Sequence, residues 1–430
     1  MLKASTFEWR SGVRRLGVAW IPLAVLLAIP WPVIQAPLVE RAVPLMWLLL
    51  AGAVLLTAYV AQASWPFALL IGWALGRTLW MGLLVDPLTL QAGAAVFEAS
   101  RSRPLQLILL LLLVGVLYVA ARHLPSDTAR VVGWGLIVGV AWEAAFGYLN
   151  LWKVYPWMTF VASDQAGRPM GFLTHPNYWG SFMALGLPLV WALCGIPAAI
   201  VVYALIAASF SGGPVISASV GALVMAWPDL GRRLRLTVLG AAGATIAIVM
   251  TVHEWRLSGR WEVWQAVWPE LLRYPVIGQG LGSWRIWADH HNAKLSAAAG
   301  QPVIFATLQA HNEPYQLWFE LGLIGLVAIG LWALQAWLAV RAAWQLCPPG
   351  TSVAWWAPGR APLERAWIAL LATAIVNSLG SPTWHLPAQA AMTLFALARI
   401  QAQAALTPPV EPPVVRHHTR RADSARARRA

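Results

Sequence analysis

The sequence predicts an all-α, polytopic membrane protein with about twelve transmembrane helices and one large external loop containing short amphipathic helices. Three observations predict it. Of the 430 residues, 59% are hydrophobic and 11% charged, whereas a soluble domain carries about 25% charged residues. Windows of about 20 apolar residues, the length that crosses a hydrocarbon core, recur along the chain. The formal net charge of +13 is gathered largely at the two ends, in Lys3, Arg10, Arg14 and Arg15 and in Arg416, Arg420, Arg421, Arg426, Arg428 and Arg429. Basic ends beside spans mark the cytoplasmic side more readily than a nucleic-acid partner.

By hydropathy the spans run 16–34, 42–62, 65–85, 104–122, 129–149, 176–194, 196–210, 213–228, 234–252, 314–340, 363–382 and 386–402. The first follows a basic stretch, and no small-residue cleavage site comes after it, so it is read as a retained helix. The short pair 196–210 and 213–228, joined through Ser211-Gly212-Gly213-Pro214, is either a broken hairpin or contains a re-entrant piece. Twelve spans put both termini on one side, together with Arg232, Arg233, Arg235, Arg341, Arg360 and Arg365. The chain then divides into spans one to nine (1–252), an external loop (253–313), spans ten to twelve (314–402) and a basic tail of disordered composition (403–430). Cys194 and Cys347 have no metal-ligand spacing and read as free thiols. No internal repeat is evident, which weighs against a transporter.

A long connection among short ones is usually functional. In the loop, Trp261, Trp264, Trp268 and Leu271 recur at helical spacing from Arg260 onward. That helix either lies on the membrane with its tryptophans at headgroup level or packs them on the tops of the spans. Gly278, Gly280 and Gly282 alternate in Pro275-Val276-Ile277-Gly278-Gln279-Gly280-Leu281-Gly282, permitting tight turns and close approach of a ligand. Arg285 and Lys294 read as solvated charges. The loop closes on His311-Asn312-Glu313-Pro314-Tyr315, where Asn312 suits an N-cap and Pro314 the first turn. A helix N-terminus favours anions and disfavours a protonated imidazole. His311 is therefore either a neutral base or a histidine that only hydrogen-bonds at a helix end. Glu320, two turns into the tenth span, and Glu143 in the fifth are costly in lipid and so candidate functional groups. His175, before Pro176-Asn177, suits a cap.

At these residues the chain resembles the O-antigen ligase and polymerase superfamily of bacterial membrane glycosyltransferases. The family motif, His then Asn, Ser or Gln, nine residues, Gly, two residues and Gly, Thr or Tyr, is met by His311-Asn312 and Gly322-Leu323-Ile324-Gly325. Arg260, Trp264, Pro275, Gly278, Gly280 and Gly282 fit the family's loop helix and glycine turn. Gly171-Phe172-Leu173-Thr174-His175-Pro176-Asn177 and Leu187-Pro188-Leu189 fit its segment leading into a span. The likeness covers roughly residues 130–340. One position departs: where the family places an Arg after a Ser, here stands Val220, and Arg256, Arg285 and Arg168 are the candidates to supply that charge.

The resemblance implies a metal-independent, inverting glycosyltransferase of the bacterial inner membrane, without cofactor and with a periplasmic site. The donor is a glycan on polyprenyl (undecaprenyl) diphosphate and the acceptor lipid A-core. His311 is expected as general base and Arg260 as diphosphate ligand. Asn312, Tyr315, Glu320, Gly278, Gly280, Gly282, Trp264, Arg256 and Arg285 are expected around the substrate. The absence of an Asp-x-Asp pair and of a Walker sequence argues in the same direction. A polymerase extending O-antigen on its carrier and a pilin O-oligosaccharyltransferase share the motif and stay open. A lipid-linked sugar flippase is the reading from another class, disfavoured because the charges gather in one loop.

Overall fold

The computed structural model describes residues 118, 121–122, 124, 126–151, 168–171, 175–237, 239–240, 260–300, 309–345, 363–383 and 386–405. The four spans expected between 16 and 122, most of 234–252, Arg256, Cys347, Arg360 and the basic tail lie outside them, apart from a few residues at 118–122. Among the described residues all regular structure is helical, without strands. The helices are α1 (Ser126–Leu151), α2 (Pro176–Cys194), α3 (Ile196–Ala208), α4 (Gly212–Ala226), α5 (Arg260–Leu271), α6 (Ser283–Ala299), α7 (Glu313–Gln345), α8 (Leu363–Ser378) and α9 (Pro387–Ala404). A 3-10 turn, Trp227–Asp229, follows α4. Ala129–Leu149 and Glu313–Gln345 are long and apolar enough to cross a membrane by length and composition.

The helices run up and down. His175 opens α2 by accepting the Asn177 amide at 3.1 Å, with Pro176 in the first turn. Gly195 closes it in a conformation (φ 91°) that favours glycine. The short helices α3 and α4 meet at Ser209–Ser211 as a broken hairpin. Helices α2 and α8 fill the centre, with most residues of both buried. Close approach of α4 to α8 depends on Gly221, where a Cβ would lie 2.2 Å from the Thr373 hydroxyl.

The two ends of the bundle differ chemically. At one end Arg365 is fully buried, pairs with Asp229 at 2.8 Å and donates to the Met225 carbonyl at 3.1 Å. Nearby, buried Arg399 donates to the carbonyls of Ala121 and Leu124. Arg235 stacks over Trp227 at 5.2 Å. Removing one partner of such a buried pair strands a charge and costs about 3–5 kcal/mol. The opposite end carries α5, α6 and the start of α7.

Here the structure corrects one expectation. The tenth span is not one continuous helix, because Gly322 has φ 67° and ψ −172° and breaks α7 into two limbs. The turn after α5 plugs the break. Gln279 and Gly280 donate their amides to the Phe319 and Glu320 carbonyls at 3.0 and 2.7 Å, while Leu323 and Ile324 donate to Pro275 and Val276 at 2.9 and 3.1 Å. Orphan carbonyls of the first limb and orphan N–H groups of the second are thus met by one segment. On α5 the inward face is Val263, Val267 and Leu271, with Trp264 half-buried beside them, while Trp261 and Trp268 point outward. The tryptophan spacing was helical, but the valine spacing of four marks the buried side.

Gly278 and Gly322 touch backbone to backbone. A Cβ on Gly278 would lie 2.4 Å from the Glu320 carbonyl oxygen, and one on Gly322 would lie 2.4 Å from the Gly278 nitrogen. Both residues also have positive φ, which costs a side chain roughly 1–3 kcal/mol by itself. Gly278→Ala and Gly322→Ala should each lower the thermal midpoint of the purified protein and open the 272–283 segment to protease. Gly330→Ala, on the same helix with open space around it, should leave both measurements unchanged.

Candidate active site

The start of α7 is built around His311. Asn312 caps the helix, its side-chain oxygen accepting the Tyr315 amide at 3.0 Å and its carbonyl accepting from Gln316 at 3.0 Å. Ala310, two residues before the cap, is held from both sides. Trp264 donates its indole N–H to the Ala310 carbonyl at 2.9 Å, and the Ala310 amide donates to Gln316 at 2.9 Å. Tyr315 donates its hydroxyl to the Trp264 carbonyl at 2.7 Å. Trp264, Tyr315, Trp284 and Phe319 pack ring against ring beneath. Clamped this way, His311 adopts φ 54°, a conformation that a non-glycine residue holds only under constraint.

The residue is half-buried, its Nδ1 is shielded from solvent, and among the described residues that atom has no hydrogen-bond partner. A buried unpaired polar atom costs about 1–3 kcal/mol, which a polar ligand would recover. Burial first, then the Arg260 guanidinium and the His175 ring, push His311 down from 6.5 to about 4. The ring is therefore neutral at physiological pH, as its place at a helix N-terminus also favours.

Arg260, the first residue of α5, reaches the same place from the other side. It donates to the Gly380 carbonyl at 3.2 Å. Burial lowers its pKa from the ordinary arginine value, and the adjacent Tyr178 hydroxyl, when ionised, opposes that shift. The carbonyl it holds lies in the turn after α8, and that turn hangs on Asn377. The Asn377 carbonyl accepts from Gly380 and Ser381 at 3.1 and 2.8 Å. Its side chain accepts from Ser181 at 2.9 Å and donates to Thr383 at 2.8 Å. His175 and Tyr178, one turn apart on α2, stack at 4.6 Å beside this cluster.

The remaining expected residues fall into three groups. Trp264, Asn312 and Tyr315 position His311 rather than facing open space. Gly278 approaches the α7 backbone, Gly280 (φ 98°) donates to it and Gly282 (φ 80°) begins α6. Gly278 and Gly280 meet the α7 backbone, and all three glycines form the tight turns that their spacing allowed. Glu320 ends the first limb of α7 instead of lying within a continuous span, and its carboxylate accepts from Gln316 at 3.1 Å.

Arg285 is on α6, paired with Asp289 at 2.9 Å and partly buried, so it is not the freely solvated charge its loop setting suggested. Lys294 is exposed. Arg168 is bound to the α3–α4 turn, donating to the Ser209 carbonyl at 2.8 Å and the Ser211 hydroxyl at 2.8 Å. Buried Glu143 carries its backbone carbonyl to the Trp179 indole at 2.8 Å.

Sequence reasoning missed Gln316, Asn377 and Tyr178. Gln316 had one legible signal, its place four residues after the N-cap Asn312; Asn377 and Tyr178 had none without the neighbouring helices. No protein-family model and no curated protein matches the chain.

Two outcomes follow from this geometry. In the ligand-free protein the His311 ring should titrate near pH 4 by NMR of labelled histidine, and Arg260→Met should raise that value because a repelling cation is removed. Between pH 6.5 and 4 the unfolded chain takes up a proton that folded His311 refuses, so its contribution disfavours folding increasingly as pH falls. In His311→Gln this part of the acid sensitivity, read from thermal midpoints, should vanish.

Proposed function

We propose that the protein is a polytopic inner-membrane glycosyltransferase that moves a glycan from polyprenyl diphosphate to an acceptor at the periplasmic face, with O-antigen ligation to lipid A-core as its reaction. The observation that carries this reading is the convergence of neutral, half-buried His311 with Arg260, brought from separate segments to one end of the bundle. A membrane setting is supported by outward apolar stripes. Val131, Trp134, Val138 and Trp142 form one on α1, and Leu323, Val327, Leu334 and Leu338 another on α7. Such contiguous exposure is unusual on a water-facing surface. Arg235, Arg341, Arg365 and Arg399 lie at the end away from His311, which suits the cytoplasmic side.

In this mechanism the acceptor hydroxyl attacks the anomeric carbon, its proton passing to the His311 imidazole. The bond from the anomeric carbon to the phosphate oxygen breaks, and its electron pair leaves on the diphosphate. Arg260 offers that oxygen a planar, forked donor. Attack from the face opposite the leaving group inverts the anomeric centre. His311 at about 4 is a weak base in the empty site. A bound diphosphate cancels the Arg260 field and raises it toward the working pH, where proton transfer is most effective. The base is thereby strengthened only when donor is present. Partly buried Arg285 and Arg168 are the described candidates for the charge that Val220 does not supply.

Purified protein with undecaprenyl-diphosphate glycan and lipid A-core tests this directly. His311→Ala should cut transfer about 10²–10⁴-fold while the protein still accumulates in membranes. Near-normal transfer would remove His311 from the base role. The acid limb of kcat/KM, which reports the free enzyme, should lie near pH 4, and that of kcat should lie higher. Activity lost to EDTA and restored by a divalent cation would overturn metal independence. In cells lacking the gene, free long glycan with bare core marks a ligase. Single repeat units on core would mark a polymerase instead, and normal lipopolysaccharide with unmodified pilin a protein glycosyltransferase.

A further inference from the structure

The turn that plugs α7 also carries apolar side chains outward. Val276 is 51% exposed and Ile277 36%, with Leu272 and Tyr274 beside them exposed as well. From Tyr274 to Ser283 there is no charged residue. In a water-facing loop such a run would be a liability for association, so its surroundings on the fold decide what it meets.

Those surroundings are continuous with the outward stripe of α7. Leu323 and Ile324 donate their amides to Pro275 and Val276, so the turn sits at the level where the second limb begins. Leu323 and Val327, 51% and 54% exposed, open that limb's outer face. From Leu323 to Gln345 the limb rises about 34 Å, against about 30 Å for a hydrocarbon core. The second limb is therefore long enough to span alone, and the break at Gly322 falls at the outer boundary of the apolar slab. Above the turn, Trp268 meets Trp318 edge to face at 5.7 Å, and the Trp318 indole donates to the Pro275 carbonyl at 3.1 Å. An aliphatic tip below exposed Trp268 and Tyr274 is the order of side chains found where protein crosses from hydrocarbon to headgroups.

We infer that the Leu272–Ile277 turn is an interfacial anchor whose Val276 and Ile277 side chains insert into the outer-leaflet acyl region, with Trp268 and Tyr274 at headgroup depth. The occupant of this surface is bilayer lipid. The inference rests on the membrane reading of α7 but not on the chemistry assigned to His311. Its consequence is one of depth: the break at Gly322 stands at the edge of the hydrocarbon, and the first limb of α7 carries His311 from there into the headgroup side, where a lipid-linked diphosphate lies.

The test uses the full chain in phosphatidylcholine vesicles, with Cys194 and Cys347 replaced by alanine and a single cysteine carrying an environment-sensitive NBD probe. The positions are Ile277→Cys, Val327→Cys on the α7 stripe, and Ala293→Cys on the exposed part of α6. Val276→Cys replaces Ile277→Cys if that variant fails to accumulate. The expected result is blue-shifted emission at 277 and 327, quenched by lipid carrying a nitroxide near the top of the acyl chain. Emission at 293 should remain that of water and be unquenched. Quenching at 327 without quenching at 277 overturns the anchor and leaves the membrane reading of α7 intact. No quenching at 327 removes the membrane reading and the anchor with it. Equal quenching at 277 and 293 overturns the assignment to this turn.

Discussion

Four backbone hydrogen bonds between the 275–280 turn and the break in α7 hold in place the end of the bundle that carries α5 and α6. An interrupted helix leaves carbonyls on one limb and amides on the other without partners, and each such group left unsatisfied away from water costs about 1–3 kcal/mol. Here a single turn satisfies both sets, with Gly278 and Gly322 packed so closely that neither tolerates a Cβ. The turn is the continuation of α5 and the lead into α6. Fastening it to α7 therefore fastens both helices, and with them Arg260 at the start of α5.

The same economy governs His311. Its backbone is gripped through Ala310 by Trp264 from α5 and Gln316 from α7, so the strained φ is sustained by the packing of two elements rather than by local preference. Gln316 also reaches Glu320, at the edge of the break. A contact path thus runs from the plugged break, through Glu320 and Gln316, to the histidine. On the opposite wall Arg260 is held by a turn that Asn377 organises from α8. Desolvation first, then the neighbouring Arg260 guanidinium and His175 ring, keep the imidazole neutral, which is the state a proton acceptor requires.

How much of this could be read from the residues varies with the kind of signal. Helices at 176–194, 196–210, 213–228 and 363–382 emerged within a few residues of their observed bounds, because apolar runs closed by proline, glycine and caps are local features. Asn312 as N-cap and Pro314 in the first turn were legible for the same reason. The placement of the α5 tryptophans stayed open because tryptophan and valine stripes have the same helical period, and only the partner surface decides which is buried. The glycine turn was read as a place for a ligand, since a glycine's permissiveness does not reveal what approaches it.

By itself, then, the sequence determined the all-helical class, the placement of most described helices, the opposition between basic residues at one end and the histidine loop at the other, and the cap at α7. These depend on composition, periodicity and contacts a few residues apart. Tertiary structure alone decided that α7 is broken, that the 275–280 turn fills the gap, that Asn377 and Gln316 position the two site residues, and that Arg260 lies beside His311. Each of those is a contact between segments distant along the chain. No local pattern encodes the distance that folding brings to hydrogen-bond range.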